Sequence, residues 1–553
     1  MQELLKNNNH FYFTSLHELY IFETEKVNYV ADNHVPKSIS FSSAFQAIPT
    51  GDHIIIFRGD HAVYSLYKGE LTEHKDSNAT KISELITGSI VVVNTSGTFI
   101  LKNNQLHQLF ISNGIPTLQL IIDNLNVQDV SDVFGEATMQ TMVVSSSTDG
   151  VYVFKKQYFR SILSPLSHTY INNFYAQTEL SDGSIFSANA IVDSKGTISR
   201  QNKIKDIDQS ALLTDSNKNI YLSYNNGLFK TDETFQHLKK IADVDGPVRN
   251  LISHHDTIWF ADRAKIGYIF NDLFFESYPG ISATRSHLPD ITALFKDSYT
   301  TWIGTENGLY MMKGNQTEPE SIQELRNKRI SYITTCYGNS IFIGTKGQGC
   351  FIYKNGTYTS MPMDKNNALS TVNAAISDLN GFLWITTNRG LLKASIKEIE
   401  KFAAGKAETV YYYYYYKEDG FATNEFNNAN TSPVIIKRNG LFSFSSLKGL
   451  VWFNPSDIKP GYFPGHIFID ELTIDDSLVK PASEIELPPT YTNFNVKVSV
   501  PYWGNRNNLE LSYALSDKEL KWYPVDESGF IHFTKLPNGS YTLLIKARAG
   551  YGD

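Results

Sequence analysis

The chain has 553 residues, 41% of them hydrophobic and 19% charged, with a formal net charge of −8. That length exceeds one ordinary core and suits roughly three or four domains, while the acidic balance gives no electrostatic footprint for nucleic acid or anionic lipid. No apolar run is long enough to cross a bilayer as a helix, and the wealth of Tyr (32) and Phe (34) beside only 7 Met suits pleated, half-buried strands.

The N-terminus, MQELLKNNNHFYF, lacks the charged region and apolar stretch of a signal peptide, so the chain reads as cytosolic or as an internal piece of a longer one. Copies of one pattern then follow: FYFTSLHELYIFE from Phe11, HIIIFRGDHAVYSLYKG from His53, SIVVVNTSGTFILKN from Ser89 and TMVVSSSTDGVYVFKK from Thr141. They continue from Asp182, Asn217, Asp256, Thr301, Asn339, Asn380 and Asn439. About eleven units at a spacing of roughly 43 residues match the period of a four-stranded propeller blade.

Within a unit, a short apolar strand, a turn rich in Asp, Asn and Gly, a central strand, a second turn and a third strand follow in order. TWIGTENGLYMMKG, from Thr301 to Gly314, is the clearest hairpin, and its Asn307-Gly308 predicts a tight turn with both central residues at positive φ. No helix longer than a turn or two is expected; IKEIEKFAAGKAE after Ser395 has helical composition and reads as a decorated loop on a blade edge. Cys336 and Cys350 fall on the first and third strands of one unit, about 10 Å apart at twice the strand spacing, which predicts two buried free thiols.

Seven units between Asp182 and Pro455 make a complete ring, and about four precede them, so the chain is expected to begin inside a first propeller. After Asn454-Pro455 the linker SDIKPGYFPG leads into short alternating strands, the pattern of a β-sandwich whose closing strand lies beyond Asp553. The expected fold is all-β: a partial N-terminal propeller over residues 1–175, a seven-bladed propeller over 176–462, and an immunoglobulin-like β-sandwich over 463–553.

The strings TWIGTENGLYMM, FLWITTNRGLLK and IFIGTKGQGCFIY resemble the regulator-type propeller repeats of Bacteroidetes sensors, and DGFATNEFNNA from Asp419 resembles the segment before their last blade. The final block resembles the triple-tyrosine domain that follows such propellers, carried by Tyr513 in LELSYAL, Trp522-Tyr523, and Tyr541 in LPNGSYTLLIKAR. Nearly the whole chain is covered. The resemblance implies the periplasmic sensor region of a hybrid two-component system, or of a related transmembrane helix-turn-helix regulator. It implies a small-molecule ligand, foremost an oligosaccharide, a homodimer formed through the sandwich, an inner-membrane tether, no cofactor, and no catalysis or nucleic-acid contact by this region. A propeller lyase or glycosidase and a protein-interaction scaffold are the alternatives.

In a propeller, the loops between second and third strands and those entering the first strand open on one face. Here they hold Asn225-Asn226, Arg263, Lys265, Arg285, His287, Glu306, Lys346, Gln348 and Asn388-Arg389, polar groups able to hydrogen-bond sugar hydroxyls or pair with carboxylate or sulfate. Singly, each is better explained as a solvated turn residue. Trp503, Trp522 and Tyr523 are the aromatic anchors expected for a dimer or relay contact of the sandwich, with its core as their other use. Tyr411 to Tyr416 should send three rings between blades and three to solvent or the neighbouring domain, and Asn424, Glu425 and Asn427 should organise the loop into the last blade. His254-His255-Asp256 lacks further ligands at metal spacing and reads as a turn. Trp302 has counterparts at Trp259, Phe342 and Trp384, so it reads as packing between sheets.

Overall fold

The computed structural model describes the chain apart from residues 1–2, 8–9, 15–17, 24–36, 42–44, 59–60, 136–140, 165–171, 189, 202, 205–206, 245–247, 263–264, 278–288, 315, 317, 429–430, 459–464, 503, 517–519 and 552–553. It divides into two compact units, Met1–Lys156 and Gln157–Asp553. The first holds four antiparallel sheets in chain order, three of four strands and a last one of three strands, Val130–Phe134, Thr141–Ser146 and Gly150–Lys155. Between the second and third sheets lies a helix, Ser77–Ile86, where none was expected. Asp76 caps it by accepting from the amides of Asn78 (2.7 Å) and Ala79 (2.9 Å), and Ile82 and Ile86 bury its apolar side.

In the second unit, seven four-stranded sheets form a closed ring. Blade 1 spans residues 177–200, blade 2 207–243, blade 3 250–276, blade 4 291–321, blade 5 330–360 and blade 6 372–415. Blade 7 takes three strands from the end of the ring, Val434–Ile436, Phe442–Ser446 and Gly449–Phe453, and its outermost strand from the start, Arg160–Ile162. Arg160 pairs with Trp452 and Ile162 with Leu450, so one sheet fastens the two ends of the ring. That closing strand lies within the stretch assigned from the sequence to the N-terminal propeller.

Each inner strand packs on the next, and a girdle of hydrogen bonds follows them around the axis. The amide of Ala176 donates to Gln209 O at 3.0 Å and Ser210 Oγ to Val248 O at 3.2 Å, and Asn250 Oδ1 accepts from the Leu294 amide at 3.0 Å. Thr292 Oγ1 donates to Ile330 O (2.7 Å), Ser331 Oγ to Val372 O (2.6 Å), Asn373 Nδ2 to Phe426 O (2.6 Å), and Asn427 Nδ2 to Phe174 O (2.5 Å). Six side chains and one main-chain amide thus link the seven converging strands at the centre, while Asn250 Nδ2 is buried without a hydrogen-bond partner among the described residues.

Trp302 and Trp384 are fully buried, as expected of packing between sheets. The Asp of the preceding turn fixes each indole: Asp297 Oδ1 accepts from the Tyr299 and Thr300 amides while its Oδ2 accepts from Trp302 Nε1 at 3.0 Å. Asp378 does the same for Asn380, Phe382 and Trp384 Nε1, the last at 2.8 Å. The Asn307-Gly308 turn differs from expectation, because only Gly308 (φ 147°) has positive φ there. Thr305 closes it, donating Oγ1–H to Gly308 O at 2.8 Å and accepting from the Asn307 amide at 3.2 Å. Thr345, Thr387 and Ser446 repeat the bond to Gly349, Gly390 and Gly449. Asn225-Asn226 has positive φ at both residues, 49° and 54°, as do Asn103-Asn104, Asn271-Asp272 and Asp475-Asp476.

The last domain is a sandwich of two sheets. Ser477–Val479, Phe468–Ile474, Asn493–Ser499 and Phe530–Thr534 form one, and Tyr523–Pro524, Glu510–Leu515 and Leu543–Arg548 the other. Leu472, Val496, Val498, Ile531 and Phe533 fill its core, with Tyr513 edge-on to Phe533 at 5.6 Å. Cys336 and Cys350 are buried thiols not joined in a disulfide, and burial pushes the Cys350 thiol up to about 12.

Candidate functional site: the blade rim and the propeller to sandwich seam

The turns between second and third strands and the loops entering the first strand are joined by main-chain bonds into one garland along blades 4 to 7. The Asn327 amide donates to Asn307 O, Lys346 to Arg329 O, Gly347 to Ser370 O and Gly390 to Asn424 O. Sequence separation is therefore no guide to proximity on this rim. Glu306 of blade 4 meets Arg329 of the next entry loop at 3.0 Å. Gln348 accepts from Lys328 Nζ at 2.9 Å, and Arg389 donates to Asn366 O at 3.2 Å. The Lys346 side chain is exposed and makes no hydrogen bond or ion pair among the described residues.

Of the rim residues nominated from sequence, Glu306, Lys346, Gln348 and Arg389 thus lie on one continuous arc. Lys265 belongs to blade 3, where its amide donates to the buried Asp262 at 2.7 Å and its ammonium lies 5.9 Å from the Phe274 ring. Arg263, Arg285 and His287 lie outside the described residues, as does Trp503. The sequence reading missed Arg326, Lys328 and Arg329 on the same arc; RNKR, directly before the Ile330 strand, was their signal. His254 and His255 occupy a turn with their rings 4.2 Å apart, and no three His, Cys, Asp or Glu side chains converge among the described residues.

The tyrosine run departs from expectation. Tyr412–Tyr415 is the outermost strand of blade 6, yet all four rings are buried. Tyr412 and Tyr414 pack toward blade 5, and Tyr411, Tyr413 and Tyr415 pack toward blade 7 with Phe159 and Phe453. Neither face reaches solvent, since blades 5 and 7 cover the two faces, and the sandwich covers the free edge. Asn508, fully buried, accepts from the Tyr414 amide at 2.7 Å and donates to Tyr414 O at 3.0 Å, as a neighbouring strand would. Tyr411 donates its hydroxyl to Asn508 O at 2.6 Å, and Arg548 stacks 4.2 Å over the Tyr411 ring while pairing with Glu398. Glu398 sits on the helix Ile396–Ala403, the segment whose helical composition was read as a decorated loop. Tyr551 donates to Lys393 O and Tyr411 O. Burial raises the hydroxyl pKa of Tyr411, Tyr412, Tyr414, Tyr415 and Tyr551.

Rim and seam meet in three consecutive residues of the blade 6 entry loop. Asp364 accepts from the Tyr414 hydroxyl at 3.0 Å and from the Leu369 amide at 2.7 Å. Lys365 Nζ reaches Leu509 O of the sandwich at 3.5 Å. Asn366 accepts from Arg389 and donates to the Tyr416 hydroxyl at 3.2 Å. On the sandwich, Tyr523 is 45% exposed, and Trp522 is half-buried with Lys546 Nζ 3.9 Å over its ring.

No known protein-family model matches the chain. It is 23% identical over 386 residues to "Histidine kinase P4" of Formosa agariphila, a match that covers 64% of this chain and spans only 27% of that protein. The extracellular domain of a putative hybrid two-component system from B. thetaiotaomicron superposes with a TM-score of 0.57 and 16% identity, over 100% of this chain and 82% of that one. The extracellular domain of another such system from the same organism gives a TM-score of 0.40 at 13% identity, over 98% and 83% of the two chains. The chain shares the fold of a hybrid two-component system's extracellular domain.

Proposed function

We propose that this chain is the extracytoplasmic, ligand-sensing region of a transmembrane signal-transduction regulator, detecting a glycan fragment on its propeller and passing the event through the sandwich to a kinase or DNA-binding output outside this sequence. The observation that carries the reading is the tie at 364–366, where a rim arginine, the tyrosine strand and the sandwich share three successive residues. A ligand that shifts the rim by fractions of an ångström would act directly on the sandwich docking, and a coupling of about 1 to 3 kcal/mol suffices for such a switch. The fold shared with the extracellular domain of a hybrid two-component system supports the same reading. In it the protein sits in the periplasm on an inner-membrane tether, without catalysis by this region, and Trp522 and Tyr523 form part of a homodimer contact.

A thermal-shift screen against neutral and charged mono- and oligosaccharides tests it, since stabilisation grows with ligand concentration over Kd and needs no knowledge of the site. Saturable stabilisation without product formation is expected. Conversion of a saccharide would replace the sensor with a propeller lyase or glycosidase. No shift from any small molecule would favour a protein-interaction scaffold.

A further inference from the structure

We infer that the rim of blades 5 and 6 is an anion site, built to hold a sugar acid: an oligosaccharide bearing carboxylate or sulfate groups. This deepens the sensing reading and rests on it. Arg326, Lys328, Arg329, Lys346 and Arg389 stand on the loops that the garland joins, and of the carboxylates on those loops Glu306 alone pairs with one of them among the described residues, Asp364 being buried and spent on Tyr414 and Leu369. The concentration of positive charge runs against a chain whose net charge is −8. Arg326, Lys328, Lys346 and Arg389 have no carboxylate partner among the described residues, and an anion held between them would relieve their mutual repulsion.

The five are also unequally committed. Arg329 is engaged by Glu306, Lys328 by Gln348, and Arg389 spends one N–H on Asn366 O. Arg326 and Lys346 are exposed and make no side-chain hydrogen bond or ion pair among the described residues. The first three are therefore held in place with donors to spare, while the other two are free to close on a ligand. An Arg fork suits a carboxylate or sulfate bidentately, and a Lys adds a point charge. Interleaved with the cations stand the amides of Gln348, Asn366 and Asn388, donors and acceptors for sugar hydroxyls. Those features favour an acidic oligosaccharide over an acidic peptide. Arg389 and Asn366 then connect the bound anion to Tyr416 and, through Asp364, to Tyr414.

The test is calorimetric titration of the whole chain with trigalacturonate, a sulfated disaccharide, the neutral methyl ester of trigalacturonate, inorganic sulfate and tri-glutamate, at about 50 and about 300 mM salt. At least one of the two acidic saccharides should bind, at least about tenfold more tightly than the neutral ester and tri-glutamate, with affinity falling as salt rises. Lys346→Gln with Arg389→Gln should weaken binding about tenfold or more while the melting temperature without ligand stays put, and Lys346→Arg should preserve binding. Arg326→Gln, on a side chain without partners, gives the same reading independently of any effect at Asn366. Preference for tri-glutamate, or acidic binding indifferent to all three substitutions, would overturn the anion site. Binding of the neutral ester that ignores the substitutions would overturn the site and leave the sensor standing, whereas silence from every probe here and in the saccharide screen would remove both.

Discussion

Asn508 lies edge-on to Tyr414, its Oδ1 accepting from the Tyr414 amide at 2.7 Å and its Nδ2 donating to the Tyr414 carbonyl at 3.0 Å. One side chain from the sandwich thereby occupies the place of a fifth strand on blade 6. An outer strand normally offers such an edge to water or to another chain. Here the edge is spent on the protein's own next domain, which makes the sandwich an extension of the ring.

Asn508→Ala should therefore cost about 2 to 4 kcal/mol, because it leaves a donor and an acceptor of Tyr414 buried and unmade. Asn508→Asp keeps the acceptor, loses the donor and buries a charge, so it should cost at least as much. Scanning calorimetry of either variant should separate a sandwich transition from the propeller transition. One unsplit transition at the original temperature would mean that the seam does not depend on this residue.

How much of this was readable beforehand follows from the range of each signal. The ring was legible because every blade restates local chemistry: an Asp or Asn turn, an aromatic strand, and a Thr or Ser closing onto a Gly, as at Thr305 and Gly308. The nomination of Glu306, Lys346, Gln348 and Arg389 came from that same periodicity, which assigns loops to a face. The seam was not legible. Asn508 stands in GNRNNLE, which reads as turn residues, and its partner is 94 positions away. The closing strand Arg160–Ile162 has only three residues, too few for periodicity, and pairs with Leu450 to Trp452. Neither side of the tyrosine run could be assigned because alternation gives the two faces of a strand but says nothing of its edge.

That closing strand supplies a truncation test. A chain starting at Gln157 retains Arg160–Ile162 and should give a cooperatively melting ring, whereas one starting at Asn172 leaves the edge of Gly449–Phe453 open. The shorter chain should aggregate or melt at least several degrees lower, since it exposes a flat apolar edge beside Leu450 and Trp452. Equal melting temperatures and solubility for the two would show that the ring closes without the strand.

Lys437 is 2% exposed, its Nζ has no hydrogen-bond partner among the described residues, and it lies 3.8 Å from the centre of the Trp452 ring. The ring face compensates part of the desolvation, by about 2 kcal/mol in a dry site. A methionine of similar length would keep the packing without the buried charge. Lys437→Met is expected to leave the melting temperature unchanged or higher, and Lys437→Ala, which opens a cavity, to lower it. A large loss in the Met variant would mean that the cation itself holds blade 7 together.

Lys393 allows a test in pH. Burial holds its ammonium at about 8, against the partial support of Asp378, and it sits 4.0 Å from the Phe382 ring. Between pH 8 and the ordinary lysine value near 10.5 the unfolded chain binds more protons than the folded one, so this group makes stability rise with pH across that window and leaves it flat below. The seam tyrosines act in the opposite sense. Their hydroxyl pKa values are raised by burial, so their contribution is whole below about pH 10 and is lost as pH climbs beyond it. Urea titrations of the parent and of Lys393→Met at half-unit steps from pH 7 to 11 separate the two, because only the lysine contribution disappears in the variant. The parent should gain on Lys393→Met by about 2 to 3 kcal/mol between pH 8 and 10.5, with both falling together above pH 10. A parent-minus-variant difference that stays level across that window would mean that the ammonium reaches water in the folded ring, and the cation held between Phe382 and Trp384 would then carry no electrostatic cost.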